Sequence, residues 1–188
     1  MRRWTQRNFA QGGLGRWLQA SGSLSARLAA SGTVFSVQVL RQGRMPLTED
    51  EAQALGAAGQ RLGYVREVLL KVDGVSVVFA RSATEHVHSL GAWRAMRGLG
   101  TRPLANVLFT RSGITRLGMQ YRQFSPHSAL LRQVQQLCPG VPRSLSARRS
   151  VFMRQRAPLL VMEVFIAPQA AWRWPVAVWQ ATDHQVNP

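Results

Sequence analysis

The sequence has a single cysteine, Cys138, and a single lysine, Lys71, in 188 residues. One thiol cannot form an internal disulfide or, alone, a cysteine-based metal site. Placed at the end of a helical segment and before a proline, Cys138 reads as a buried structural residue. Acids are scarce as well: eight Asp and Glu stand against 24 Lys and Arg. No apolar run approaches the roughly 18 residues that a membrane span requires, so no membrane insertion is expected. The N-terminus carries Arg2, Arg3 and Arg7 with no apolar stretch after them, unlike a secretory signal. A soluble, cytoplasmic protein is the expectation. The G-x-S-x-G elbow, the H-E-x-x-H pair and a glycine-rich phosphate loop are missing. His86 and His88 read as the solvated end of a strand, and neither His127 nor His184 joins them in a ligand motif.

What is present begins with charge. The formal net charge is +16, a balance that points to anionic partners. The arginines are scattered, with doublets only at Arg2-Arg3 and Arg148-Arg149, and no basic stripe alternates with aromatic stacking platforms. A general preference for arginine accounts for this pattern as well as nucleic-acid binding does, and no specific nucleic-acid partner is expected. With 46% hydrophobic residues the chain can build a real core, and residues 1–188 read as one domain.

Residues 17–30 read as a helix broken at Ser21-Gly22 and ended by Gly32. Residues 34–41 alternate as a strand, with Phe35, Val37 and Val39 on one face. Thr48 and Glu51 form a capping-box pattern ahead of a helix reaching residue 62. Residues 64–72 and 75–83 flank Asp73-Gly74, the signature of a two-residue type I′ hairpin. Residues 88–99 read as a helix, 114–122 as a strand, and 126–137 as a helix capped by Ser125. A second hairpin joins 148–154 to 159–166. The tail 169–188, with Trp172, Trp174 and Trp179, has no assignment. A meander of hairpins with helices between them predicts the α+β class, a single antiparallel sheet with helices packed on one side.

Few residues stand out as chemical. Glu163 interrupts Leu159-Leu160-Val161-Met162 and Val164-Phe165-Ile166, a strand apolar on both faces. A carboxylate buried there costs several kcal/mol unless paired or protonated. It is therefore either the partner of a buried arginine or an acid with a raised pKa. Arg66 and Glu67 interrupt the strand 64–72 and point to opposite faces. Arg66 shares its face with Val68, Leu70 and Val72 and needs an anion, internal or bound. For Glu67 an internal arginine pair is the better reading. Arg81 and Arg149 read as lying on solvated faces.

In order and in register, several segments resemble chorismate pyruvate-lyases. They are Phe35-Ser36-Val37-Gln38-Val39-Leu40-Arg41, Val65-Arg66-Glu67-Val68-Leu69-Leu70, Asp73-Gly74 and Phe79-Ala80-Arg81-Ser82. Leu99-Gly100-Thr101-Arg102-Pro103-Leu104 with Leu108-Phe109, Ala147-Arg148-Arg149-Ser150-Val151-Phe152 and Leu159-Leu160-Val161-Met162-Glu163-Val164-Phe165 complete the set. The resemblance covers about residues 17–168 and leaves the tail outside. It implies a sheet with a buried site beneath helical flaps, and a carbon–oxygen lyase that converts chorismate to 4-hydroxybenzoate and pyruvate on the way to ubiquinone, without cofactor or metal. It further implies that Arg66 holds the ring carboxylate, Glu163 meets the hydroxyl end, Leu104 offers a backbone contact and Leu24 lines the pocket. Arg66 and Glu163 are the expected catalytic pair, in a protein expected to act as a monomer. The rival expectation is a ligand-binding module without catalysis, like the effector (UTRA) domains of transcription regulators, which look similar in fold.

Overall fold

A computed structural model describes residues 3–57, 59, 62–110 and 112–173. In chain order the elements are α1 (Gly12–Gln19), α2 (Leu24–Ala29), β1 (Phe35–Pro46), α3 (Glu49–Ala54), β2 (Leu62–Val72) and β3 (Val75–Glu85). Then follow α4 (His86–Leu90), a 3₁₀ turn at Arg94–Gly98, α5 (Ala105–Leu108), β4 (Thr115–Arg116), β5 (Gln120–Phe124), α6 (Ala129–Leu137), β6 (Leu145–Arg154) and β7 (Ala157–Phe165). All strands join one antiparallel sheet in the order β1-β2-β3-β7-β6-β4, with β5 also pairing β6.

The first hairpin follows from its turn. Asp73 and Gly74 take φ of 49° and 80°, the left-handed pair that matches the twist of the flanking strands. The Asp73 carboxylate also accepts hydrogen bonds from the Thr33 and Val34 amides at 2.9 and 2.7 Å, tying the turn to the start of β1. The second hairpin turns at Gln155-Arg156, which hold φ of 50° and 62° without a glycine. Within β1 the pairing with β2 slips by one residue between Val39 and Arg41, a bulge at Leu40.

The main helical layer lies on one side of the sheet. Trp17, Leu18, Leu24 and Leu28 from α1 and α2 pack on Val68, Leu70, Val78 and Phe165. Further along the same face, Trp93, Met96, Leu99, Leu104 and Leu108 pack on Tyr64, Phe152 and Leu159. Two short helices sit at the flanks of the other face: Ala52 of α3 against Val65 and Leu160, and Leu131 and Val134 of α6 against Leu69, Phe79 and Val164. No helix among the described residues is long and apolar enough to cross a membrane.

Several local expectations are corrected. The capping box at Thr48 and Glu51 is formed, yet α3 ends at Ala54, ahead of Gly56 with φ of 68°. The helix expected at 88–99 divides into α4 and the 3₁₀ turn, so His86 and His88 lie on a helix, where His88 meets Glu85 at 3.3 Å. The cap of α6 is Ser128, which accepts from Leu131 N, and not Ser125. Cys138 is half-buried against the α6-side cluster. Trp172 is buried beside Trp17 and Phe165, so the core extends into what the sequence left as tail; Trp174 and Trp179 lie outside the described residues.

Candidate active site

Alternation turns Arg66 of β2 toward the main helical layer and Glu67 away from it. Register carries both faces across the sheet. Val68 pairs with Ala80, Ala80 with Glu163 and Glu163 with Arg148; one row along, Arg66 pairs with Ser82 and Ser82 with Val161. Arg66 and Glu163 therefore share a face with β3 between them, two strands and one row apart, their backbones about 12 Å from each other. Between them β3 offers only Ala80 and Ser82. These short side chains leave a cavity of about 50 Å³ under the helical layer, lined by Leu24, Arg66, Leu104 and Glu163 together with Arg116 and Phe152. All four residues singled out from the sequence thus meet at one cavity.

Arg66 is 2% exposed and is held by neutral acceptors. It donates to Gln42 Oε1 at 3.2 Å and to the carbonyls of Gly100 and Arg102 at 2.9 and 3.2 Å. Those carbonyls belong to the turn that covers the site. No carboxylate among the described residues pairs with Arg66. Burial depresses the guanidinium below its ordinary value, only partly offset by Tyr64. A cation so placed favours an incoming anion.

Glu163 is held through one of its two oxygens. Its Oε2 accepts from Arg148 Nε at 2.5 Å, while no described residue donates to Oε1. Arg148, 1% exposed, also donates to the carbonyls of Trp17, Leu18 and Ala20 at 3.2, 3.2 and 2.8 Å. It thereby clasps the negative end of α1. The ion-pair reading of Glu163 is present in the structure, and its carboxylate also lines the cavity.

Leu24 is the first residue of α2, whose N-cap Ser23 accepts from Ala26 N at 3.1 Å. Leu104 is buried at the N-terminus of α5, directly after Pro103. Sequence reasoning missed Gln42, Arg116 and Arg148. The first needs the β1 bulge to reach this face, and the other two look like any of many arginines until the pairing of β6 places them.

The opposite face holds a larger cavity of about 1160 Å³, but its acids are engaged. Arg81 binds Glu51 at 2.5 Å and Glu67 at 2.7 Å, Arg41 binds Glu67 at 2.8 Å, and Arg149 binds Asp50 at 2.6 Å. The expected solvated faces for Arg81 and Arg149 are therefore corrected: their side chains are 11% and 10% exposed, because α3 and Trp4 cover this side. Glu67 has the internal arginine partners expected of it. Burial alone would raise its pKa, but hydrogen bonds from Arg81 and Arg41 outweigh burial and hold it below the usual carboxylate range. Burial likewise opposes the Arg81 charge, and Glu51 and Glu67 more than restore it.

The fold and the small cavity define a class: an antiparallel sheet with helices packed over a cavity on one face. The C-terminal domain of a histidine utilization repressor from Pseudomonas syringae has a similar fold, with a TM-score of 0.53 at 10% identity over 76% of this chain and 96% of that one. Within that class, the chorismate lyase family model matches residues 2–174. The protein of Albidiferax ferrireducens named "Probable chorismate pyruvate-lyase" is 56% identical, over 93% of this chain and 91% of its own length. One from Pseudomonas fluorescens named "Probable chorismate pyruvate-lyase 1" is 38% identical, over 87% of this chain and 88% of its own length. The chain belongs to the chorismate lyase family.

Proposed function

We propose that this protein is a chorismate pyruvate-lyase, cleaving chorismate to 4-hydroxybenzoate and pyruvate in the cytoplasm, toward ubiquinone. The observation that carries the reading is the buried Arg66, free of any described carboxylate, set across Ala80 and Ser82 from Glu163 in one enclosed cavity. In this reading Arg66 takes the ring carboxylate and Glu163 meets the hydroxyl end. The backbone of Leu104 contacts the ligand, and Leu24 forms an apolar wall.

The reaction asks little of the protein. The C3–O bond breaks with its electron pair on the enolpyruvyl oxygen, and the C4–H pair becomes part of the aromatic ring. The released proton completes the methyl group of pyruvate. Aromatisation drives the step, so the site need only fix the ring and stabilise developing charge. The hydrogen count closes within the substrate, and the reading calls for no cofactor.

A cavity of about 50 Å³ is well below the roughly 300 Å³ of ordinary ligand pockets. Entry therefore requires the covering turn to part, and the ring carboxylate replaces the carbonyls of Gly100 and Arg102 as acceptor for Arg66. The fold is shared with regulator domains, so fold alone does not separate enzyme from effector-binding module; membership in the lyase family favours the enzyme. Incubating purified protein with chorismate and following 4-hydroxybenzoate tests this directly. Binding of chorismate without turnover would leave the module.

A further inference from the structure

The sheet turns Arg66 from β2, Arg148 from β6 and Arg116 from β4 toward the small cavity's face, while Arg154, further along β6, donates to the carbonyl of Ala92. Arg148 is neutralised by Glu163 and its Nη1 is spent on three carbonyls. Arg66 is assigned above to the ring carboxylate. Arg116 remains. It lines the same cavity, and no carboxylate among the described residues lies within ion-pair distance of it. Its guanidinium lies 5.3 Å from the centre of the Phe152 ring, and its Nε donates to Ser150 Oγ at 2.9 Å. Ring and hydroxyl together fix the plane of the fork, while Nη1 and Nη2 donate to none of the described residues. Burial and the nearby Arg148 charge depress its pKa, with Glu163 and Tyr121 opposing.

Chorismate carries two carboxylates, one on the ring and one on the three-carbon group that leaves. We propose that Arg116 receives the second, and so separates substrate from aromatic product. The proposal rests on the lyase reading. 4-Hydroxybenzoate has lost the three-carbon group, so Arg116 has nothing to hold in the product complex. In the substrate complex its fork orients the enolpyruvyl ether at the Glu163 side of the ring. As the C3–O bond breaks, it also stabilises the anionic fragment that ketonises to pyruvate.

The test compares Arg116→Gln with Arg66→Ala in the full chain, each checked for folding by circular dichroism. Arg116→Gln is expected to lower kcat/KM for chorismate by about 10²-fold or more, the loss that follows when a desolvated charge pair loses one partner. Its 4-hydroxybenzoate dissociation constant, measured by calorimetry, should change by less than about threefold, since that ligand offers Arg116 no partner. Arg66→Ala should lose both. Arg116→Lys, which keeps the charge without the fork, should recover part of the turnover. A wild type that turns over chorismate while Arg116→Gln does so equally well overturns this assignment alone. So does a parallel loss of product affinity in Arg116→Gln. A wild type that leaves chorismate intact overturns the lyase reading and this one with it.

Discussion

Glu163 and Arg148 are paired at 2.5 Å, and the arginine of that pair holds the end of α1 through three backbone carbonyls. A cavity-lining carboxylate is thus coupled to the anchoring of the first helix. Glu163→Gln is therefore expected to act twice. It strands a buried guanidinium, at a cost of about 3 kcal/mol, or roughly 6–12 °C in melting temperature for a domain of this size. If Glu163 also meets the substrate, turnover of the folded protein falls by about 10²–10⁴-fold. Full turnover in protein kept folded at low temperature would leave Glu163 as the counter-ion of Arg148 and nothing more.

Arg66→Ala removes the donor to Gln42 and to the carbonyls of Gly100 and Arg102. Affinity for 4-hydroxybenzoate should drop by about 2–5 kcal/mol, as for a carboxylate deprived of a buried charged partner. Calorimetry on the variant decides the matter, and unchanged affinity would remove Arg66 from the site.

Glu67 provides a pH prediction. Its folded pKa lies below the unfolded value because of Arg81 and Arg41, so its contribution is complete above the unfolded pKa of about 4.3. That contribution is lost as the pH falls through the folded value. Urea unfolding between pH 5 and pH 3 should therefore show stability declining with acid, and Glu67→Gln should flatten part of the decline. Identical slopes in the two proteins would show that the ion network does not set the acid limb.

The +16 charge is expected to be largely compositional. Binding to duplex DNA should be weak and lost at moderate salt, as non-specific phosphate contacts are. Tight binding that survives added salt would call for a nucleic-acid role after all.

Local chemistry made much of this legible in the sequence. Asp73-Gly74 forces one hairpin through backbone conformation alone, and the thermodynamic cost of a charge among apolar neighbours exposes Arg66 and Glu163. The unread parts depend on contacts distant in the chain. Arg116 reaches the cavity because β4, two residues long, pairs with Phe152 and Met153 of β6, and no periodicity marks so short a strand. Arg81 and Arg149 read as solvated because alternation assigns a face without saying what covers it. Ser125 and Ser128 are equally good caps on paper, and the turn in which Ser128 N donates to Ser125 O places the second at the helix start.

The bulge at Leu40 has a consequence for how the gene can change. Strict alternation from Val37 and Val39 would deliver Arg41 to the side of Arg66 and Gln42 to the ion network. The extra residue exchanges the two, so that Arg41 pairs with Glu67 and Gln42 with Arg66. A one-codon loss in a strand ordinarily inverts every later side chain. At Leu40 it would instead leave both halves of β1 in frame, forfeiting only the packing of Leu40 against the α6-side cluster. The bulge is thus the point in β1 where the sheet tolerates a one-codon deletion, and codon 40 is the one whose loss keeps both Val39 against Val68 and Arg41 against Glu67.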